Sequence, residues 1–282
     1  MTPPPDRIRA VLDEATDWPV DAVSVGVVTI EGTTVTTGDE DRTQRLASVT
    51  KPLFAYSVLI AVQDGLLHLD EPAGPQGSTV RHLLAHASGL PPEAGGPTSR
   101  VGVRRVYSNH AFELLGELVA ERSGTTPADH LDVEVLQPLG MDATTLDGSP
   151  AHAATGTLAD LMAFAHELLS PTLLDDPLAT DLAAVQFPGL GGVLPGYGRQ
   201  DDNTWGLGFE IRDGKDPHWT GASQPPTTFG HFGQSGTFLW VDRDAGVAAA
   251  CLCDRDFDTW AAEAWAPFNE RLWTTLTDTG AS

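Results

Sequence analysis

Apolar and polar residues follow two rhythms along this chain, and the change of rhythm divides it. Residues 6–16 place Ile8, Val11 and Leu12 on one side of a helix. Residues 22–30 predict a strand, Glu31-Gly32 a turn, and residues 33–38 a second strand. The rhythm then becomes helical. The apolar run from Leu53 to Val62 is helix-like in length and stops at Asp64-Gly65, where glycine suits a helix C-terminus. Ser78-Thr79 can cap a short helix over 80–86. Residues 111–121 set Phe112, Leu115, Leu118 and Val119 on one face, and 128–136 and 158–169 predict two further helices. Proline and glycine predict irregular loops at 91–100 and 187–197. Strand patterns return at 205–211, 237–242 and 246–253, the last two as a hairpin through Asp244-Ala245. A closing helix over 259–276 carries Trp260, Trp265, Phe268 and Leu272 as apolar anchors.

Strands at both ends around helices in the middle predict an α+β fold. The expected core is an antiparallel β-sheet built from both chain ends, flanked by helices, with an inserted all-helical lobe. The chain reads as a single domain over 1–282, with an α/β lobe from about 1–46 and 200–282 and a helical lobe from about 47–199.

Composition narrows the function. With 41% hydrophobic and 20% charged residues the chain is globular. A formal net charge of −23, with no basic stretch longer than Arg104-Arg105, opposes binding to nucleic acid or anionic membranes. The acidity fits solubility at high salt or an organism-wide bias. No apolar run reaches the ~18–20 residues of a membrane span. The start, Met1-Thr2-Pro3-Pro4-Pro5, lacks the basic and apolar parts of a secretory signal, so a cytoplasmic location is expected. His82 and His86 stand four apart, as zinc ligands do, but the glutamate of a His-Glu-x-x-His helix and a third ligand are missing; no metal or other cofactor is expected. Cys251 and Cys253 point to the same side of one strand and read as small core residues.

Three short stretches carry chemistry. In Ala47-Ser48-Val49-Thr50-Lys51-Pro52, a serine precedes a lysine by three residues at the head of the apolar run. On a helix the two side chains share a face. Taken alone, this is also the pattern of a helix cap beside a surface lysine. Yet the chain uses only two lysines, Lys51 and Lys215, against fourteen arginines. A serine beside a lysine is a nucleophile when burial or nearby positive charge depresses the lysine pKa from ~10.4 so that it accepts a proton. The second stretch is Tyr107-Ser108-Asn109. Its phenol, as a phenolate held by cations, is a candidate base, and its amide a candidate holder of a carbonyl or of the lysine. The third, Gly230-His231-Phe232-Gly233-Gln234-Ser235-Gly236, lets a backbone or ligand approach closely, with His231 as a source of a proton or positive charge near the serine.

In the order Ser-x-x-Lys, Tyr-x-Asn, His-x-Gly, the chain resembles the serine β-lactamase-like and penicillin-binding superfamily. It is most similar to the branch that holds class C β-lactamases, D-alanyl-D-alanine carboxypeptidases, D-aminopeptidases and family VIII esterases. The segments at 79–90, at Leu114-Leu115-Gly116 and at Pro138-Leu139-Gly140-Met141 extend the likeness over roughly 20–255. The resemblance implies a β-lactamase/transpeptidase-like fold. It implies Ser48 as acylated nucleophile, Lys51 and Tyr107 sharing the base and acid roles, and Asn109 contacting substrate or Lys51. His231 stands where many relatives have lysine, and the N–H groups of Ser48 and Gln234, beside Gly233, would form the oxyanion hole. Phe232 departs from the threonine or serine that relatives use to bind a carboxylate. That departure favours an esterase acting on small esters or amides over a D-amino-acid peptidase or weak β-lactamase. A non-catalytic descendant that binds a ligand is the reading from another class. The expected partner is a small-molecule ester or amide.

Overall fold

The computed structural model of the chain describes residues 4–278. In chain order its regular elements are α1 (Pro5–Leu12), β1 (Val23–Thr29), β2 (Thr34–Thr37), β3 (Gln44–Arg45), α2 (Thr50–Gln63), α3 (Val80–Leu84) and α4 (Asn109–Ser123). These are followed by α5 (Pro127–Leu131), β4 (Thr145–Leu146), β5 (Ala154–Gly156), α6 (Leu158–Leu169), α7 (Asp176–Leu182) and the pair β6 (Gly192–Leu194) and β7 (Gly198–Gln200). The chain ends with β8 (Glu210–Ile211), β9 (Phe229–Gly233), β10 (Thr237–Asp242), β11 (Val247–Cys253) and α8 (Thr259–Thr277).

Among the described residues, one six-stranded antiparallel sheet runs in the order β2-β1-β11-β10-β9-β8. Its centre joins the two chain ends: β1 pairs with β11 from Val23↔Cys253 to Thr29↔Val247. The period of two then sorts side chains to opposite faces. Phe238 and Trp240 of β10, with Cys251 and Cys253 of β11, face the cluster made by α1 and α8. Leu239 and Val241, with Ala248, Ala250 and Leu252, face the cluster that holds α2 and α6. Strand β11 is buried along its whole length and reads Val-Ala-Ala-Ala-Cys-Leu-Cys, small enough for helices to sit on both faces. Both cysteines are buried and free.

Helix α2 is buried from Thr50 to Ala61, with no polar face. A helix apolar all round belongs at the centre of a structure. α6, capped by Thr157 Oγ1 accepting from the Asp160 N–H, packs across β1, β10 and β11. The interval 47–199 is therefore not wholly helical. α6 lies on the sheet, and β4, β5, β6 and β7 fall in it. Strand β5 pairs with β3 on one side and β4 on the other, which ties this interval to the segment just before Ser48.

Two further sequence expectations change. The proline- and glycine-rich stretch 187–197 contains β6 and leads into a small hairpin with β7. The stretch 205–211 is regular strand only at Glu210–Ile211. It folds back on itself, with the Gly206 N–H donating to Phe209 O, and Gly208 adopts φ +88° against the Ala55 Cβ. An L-side chain there would meet that Cβ at 2.2 Å. No helix of the described residues is long and apolar enough to cross a membrane.

The packing of α6 gives a direct expectation. Leu161 is fully buried in the cluster between α6 and the sheet. Leu161→Ala lowers the unfolding free energy by about 2–5 kcal/mol in urea denaturation; a loss below ~1 kcal/mol would contradict this packing.

Candidate active site

Ser48 does not lie in α2 itself. It sits in a tight 3-10 turn, Ala47–Val49, just ahead of it, and Ala47 takes the left-handed φ of 45°. The turn is held from three sides. The Leu46 N–H donates to Ala154 O at 2.9 Å, Thr237 Oγ1 donates to Leu46 O at 2.9 Å, and Ser235 Oγ donates to Arg45 O at 2.6 Å. Gly233 closes the third side. A Cβ there would stand 2.6 Å from Leu46 O and 3.1 Å from the Ala47 Cβ, so only glycine lets the end of β9 reach the turn.

Lys51 lies one turn on and is completely buried. Its Nζ donates to Asn109 Oδ1 at 2.7 Å and to Ala151 O at 2.9 Å, and lies 3.5 Å from Ser48 Oγ. Burial lowers its pKa to about 7, against the opposing pull of Glu113 and Glu93. A neutral amine has two N–H groups and one lone pair. With both N–H groups taken by Asn109 and Ala151, the lone pair is left for Ser48 Oγ.

Tyr107 reaches the same oxygen from another side, its hydroxyl donating to Ser48 Oγ at 2.8 Å. Local structure fixes it. The next residue, Ser108, caps α4 by accepting from the Ala111 N–H at 3.0 Å and donates to Pro91 O at 2.6 Å. His86 supports the Tyr107 ring at 4.7 Å and accepts the Ser108 N–H on Nδ1 at 3.2 Å. His86 is past the end of α3, with φ 54°, whereas His82 stacks on Phe187 at 4.1 Å; the two imidazoles do not form a shared ligand face. The electrostatics reverse the phenolate expectation. Burial raises the Tyr107 pKa, the Ser48 contact lowers it less, and the Glu210 carboxylate raises it further. Tyr107 keeps its proton.

His231 is also unlike its expectation. It is buried, and burial together with Lys51 lowers its pKa to about 3, so it brings no positive charge. Its Nδ1 lies 2.6 Å from its neighbour's carbonyl, Phe232 O; a carbonyl only accepts, so Nδ1 carries the proton. Phe232 lines the pocket but is also part of an aromatic cluster, its ring 5.1 Å from Phe257, 5.8 Å from Tyr197, 5.9 Å from Trp219 and 6.0 Å from Trp265. Gln234 is tied to the loop before α8, its side-chain Nε2 donating to Phe257 O at 2.8 Å while its backbone carbonyl accepts the Phe257 N–H at 2.7 Å.

Ser48, Tyr107, Asn109, His231, Phe232 and Gln234 thus line one cavity of about 200 Å³. Four more lining residues escape the sequence reading: Leu194 and Pro195 at the hairpin tip, Trp205, and Glu210. Glu210 is buried and held ionised, well below the usual carboxylate range, by Lys215 at 3.2 Å, His218 Nε2 at 2.9 Å and the Trp219 indole N–H at 2.9 Å. The one available signal was a glutamate inside an otherwise apolar strand pattern. Among the described residues, no group of three or more His, Cys, Asp and Glu is arranged to hold a metal ion.

A family model described as Beta-lactamase matches residues 21–270. Esterase EstB of Burkholderia gladioli is 33% identical over 148 residues, covering 36% of this chain and 38% of the esterase. The D-alanyl-D-alanine-carboxypeptidase/endopeptidase AmpH of Escherichia coli K12 is 27% identical over 147 residues, covering 39% of this chain and 38% of AmpH. The matches thus span little more than a third of these curated relatives. A solved structure of a beta-lactamase from Mycobacterium bovis is 48% identical, with TM-score 0.93, covering 95% of this chain and 99% of the other. D-amino acid amidase of Ochrobactrum anthropi shares the fold at 20% identity and TM-score 0.77, covering 97% of this chain and 98% of the amidase.

The burial of Lys51 sets a measurable midpoint. In carbon-detected NMR of lysine side chains, the Lys51 Cε resonance titrates near pH 7. A midpoint near the ordinary ~10.4 would contradict the burial argument.

Proposed function

The chain belongs to the Beta-lactamase family, and from that membership we propose that it is a serine hydrolase cleaving small carboxylic esters or amides through an acyl-enzyme on Ser48. The observation that carries this reading is the buried Lys51 amine, 3.5 Å from Ser48 Oγ with both of its N–H groups already engaged. Ser48 gives its proton to Nζ as Oγ attacks the substrate carbonyl. The oxyanion is received by the backbone N–H groups of Ser48 and Gln234; such donors typically contribute ~3 kcal/mol each. Tyr107, still protonated and 2.8 Å from Oγ, hands its proton to the departing alkoxide or amine and is resupplied from Lys51. Water then attacks the acyl-enzyme, with the same amine accepting its proton. Asn109 holds Lys51 in place through the 2.7 Å contact.

The pocket favours esters and amides without a carboxylate. Among the described residues that line it none is lysine or arginine, and its histidine is neutral. A carboxypeptidase needs a cation or donors for its substrate's terminal carboxylate. This supports the esterase or amidase side of the family over the carboxypeptidase and β-lactamase side.

Hydrolysis of p-nitrophenyl acetate and butyrate tests this directly. Ser48→Ala and Lys51→Arg each lose about a thousandfold or more in kcat/KM, since arginine keeps its proton. Wild-type rates in either variant would sink the mechanism. The pH profile follows from the base. The active form is the deprotonated one, so kcat/KM rises about tenfold per pH unit below the Lys51 pKa and levels off above it. The bend is expected near pH 7; a rate still climbing to pH 10 would contradict Lys51 as the base.

A further inference from the structure

The turn between β9 and β10, Gly233-Gln234-Ser235-Gly236, leaves one backbone N–H unspent at the cavity. The Gly236 N–H donates to Gly233 O at 3.1 Å. The peptide that joins Gly233 to Gln234 is trans, so its carbonyl and its N–H point opposite ways. With Gly233 O turned into the hairpin, the Gln234 N–H points out of it. Gln234 lines the cavity together with Ser48, and its N–H donates to no group among the described residues. The packing of Gly233 against Leu46 O and Ala47 sets this N–H beside the turn that carries Ser48.

The rest of Gln234 is committed to one residue. Its backbone carbonyl accepts the Phe257 N–H at 2.7 Å, and its Nε2 donates back to Phe257 O at 2.8 Å. One such bond would act as a hinge; the two together close a ring and stop rotation about either. Gln234 is exposed, so its side chain gives up rotamer freedom in water to make the second bond. Phe257 is a firm anchor for it. The Phe257 ring packs on Phe232 at 5.1 Å, on Trp265 of α8 at 5.2 Å and on Tyr197 of the β6–β7 hairpin at 5.9 Å. Its two neighbours are held as well. Asp256 O accepts the Trp260 indole N–H at 2.9 Å, and Asp258 caps α8 by accepting the Trp260 backbone N–H at 2.9 Å.

Resting on the serine-hydrolase reading, in which the Gln234 N–H receives the oxyanion, we propose that the Gln234 side chain and the Phe257 backbone form a brace that aims this N–H. The side chain is a positioning group and touches no reacting atom. Oxyanion donors act because they are fixed before the charge develops, and a displacement of about 1 Å is costly. Formation and hydrolysis of the acyl-enzyme both pass through an oxyanion at the same place. A loosened brace slows both steps by a like factor. Then kcat falls, while KM, which depends on the ratio of the two rates, holds.

Hydrolysis of p-nitrophenyl butyrate and inhibition by n-butylboronic acid test this in wild type, Ser48→Ala, Gln234→Met and Gln234→Ala, with melting curves for each. Methionine keeps the length of the side chain without its donor, alanine removes the side chain, and both keep the backbone N–H. The boronic acid copies the charged intermediate. Ser48 Oγ bonds to boron, its proton passes to Lys51 and no group leaves, so the adduct is a tetrahedral anion. In both Gln234 variants kcat is expected to fall about tenfold, with KM within about twofold of wild type, and Ki for the boronic acid to rise about tenfold. A residue that only stabilised the fold would lower the melting temperature without this split. A kcat and a Ki both within about twofold of wild type in the two variants overturn the inference, as does a loss carried by KM alone. If one variant melts below the assay temperature the other decides; loss of the fold in both makes Gln234 a structural residue and overturns its positioning role. Hydrolysis that survives in Ser48→Ala, or no hydrolysis by wild type, overturns the serine-hydrolase reading itself. Ser48-dependent hydrolysis that both Gln234 variants retain in full overturns the brace alone.

Discussion

Removing the Lys51 amine from water is the constraint on which the rest of this site depends. An ammonium in a dry interior is costly, and the group answers by giving up its proton near neutral pH. The surroundings are arranged for the neutral form. Asn109 Oδ1 and Ala151 O take the two N–H groups, the rings of Tyr107 and Phe112 lie 4.6 and 5.5 Å away, and the carboxylates of Glu113 and Glu93 act on it without a direct contact. α2 supplies a helix buried on all sides, and α4 brings Asn109 at its first residue.

The site is also a junction of segments distant in sequence. The turn bearing Ser48 is gripped by β5 on one side and by Ser235 and Thr237 near β10 on the other. β10 is in place because β11 joins it to β1, so the pairing of the two chain ends sets where the nucleophile stands. A second junction holds the opposite wall. The buried Arg105 guanidinium donates to the carbonyls of Ala85, Gln186, Phe187 and Asn203, drawing the end of α3 and the stretch leading to Trp205 together beside Tyr107. Glu210 adds the last piece, an ionised group on the cavity wall buried between Lys215 and His218.

Residues whose chemistry is local along the chain are legible in the sequence. Ser48 and Lys51 are three apart, Tyr107 and Asn109 two apart, and His231, Gly233 and Gln234 share one strand end. Each stretch announces itself because its spacing is set by one turn or one strand. The sheet is legible for the same reason, since the period of two in residues 237–242 and 246–253 is a local signal. Contacts made by the backbone are not. Ala151 contributes only a carbonyl oxygen, which any residue has. Trp205 and Glu210 read as members of one straight strand, and the fold-back at Gly206 and Gly208 that turns them into a cavity wall has no period. Protonation is the least legible property. Tyr107 and His231 carry the side chains that the motifs lead one to expect, but burial holds the first as an acid and the second neutral.

The measurement closest to the central claim is capture of the covalent intermediate. Wild type is mixed with p-nitrophenyl butyrate, quenched in acid within the first turnovers, and its intact mass and peptides are read. A species heavier by one butyryl group is expected, the label confined to the peptide containing Ser48 and absent in Ser48→Ala. Turnover with no covalent adduct at early times in wild type, or an adduct on another residue, would contradict it.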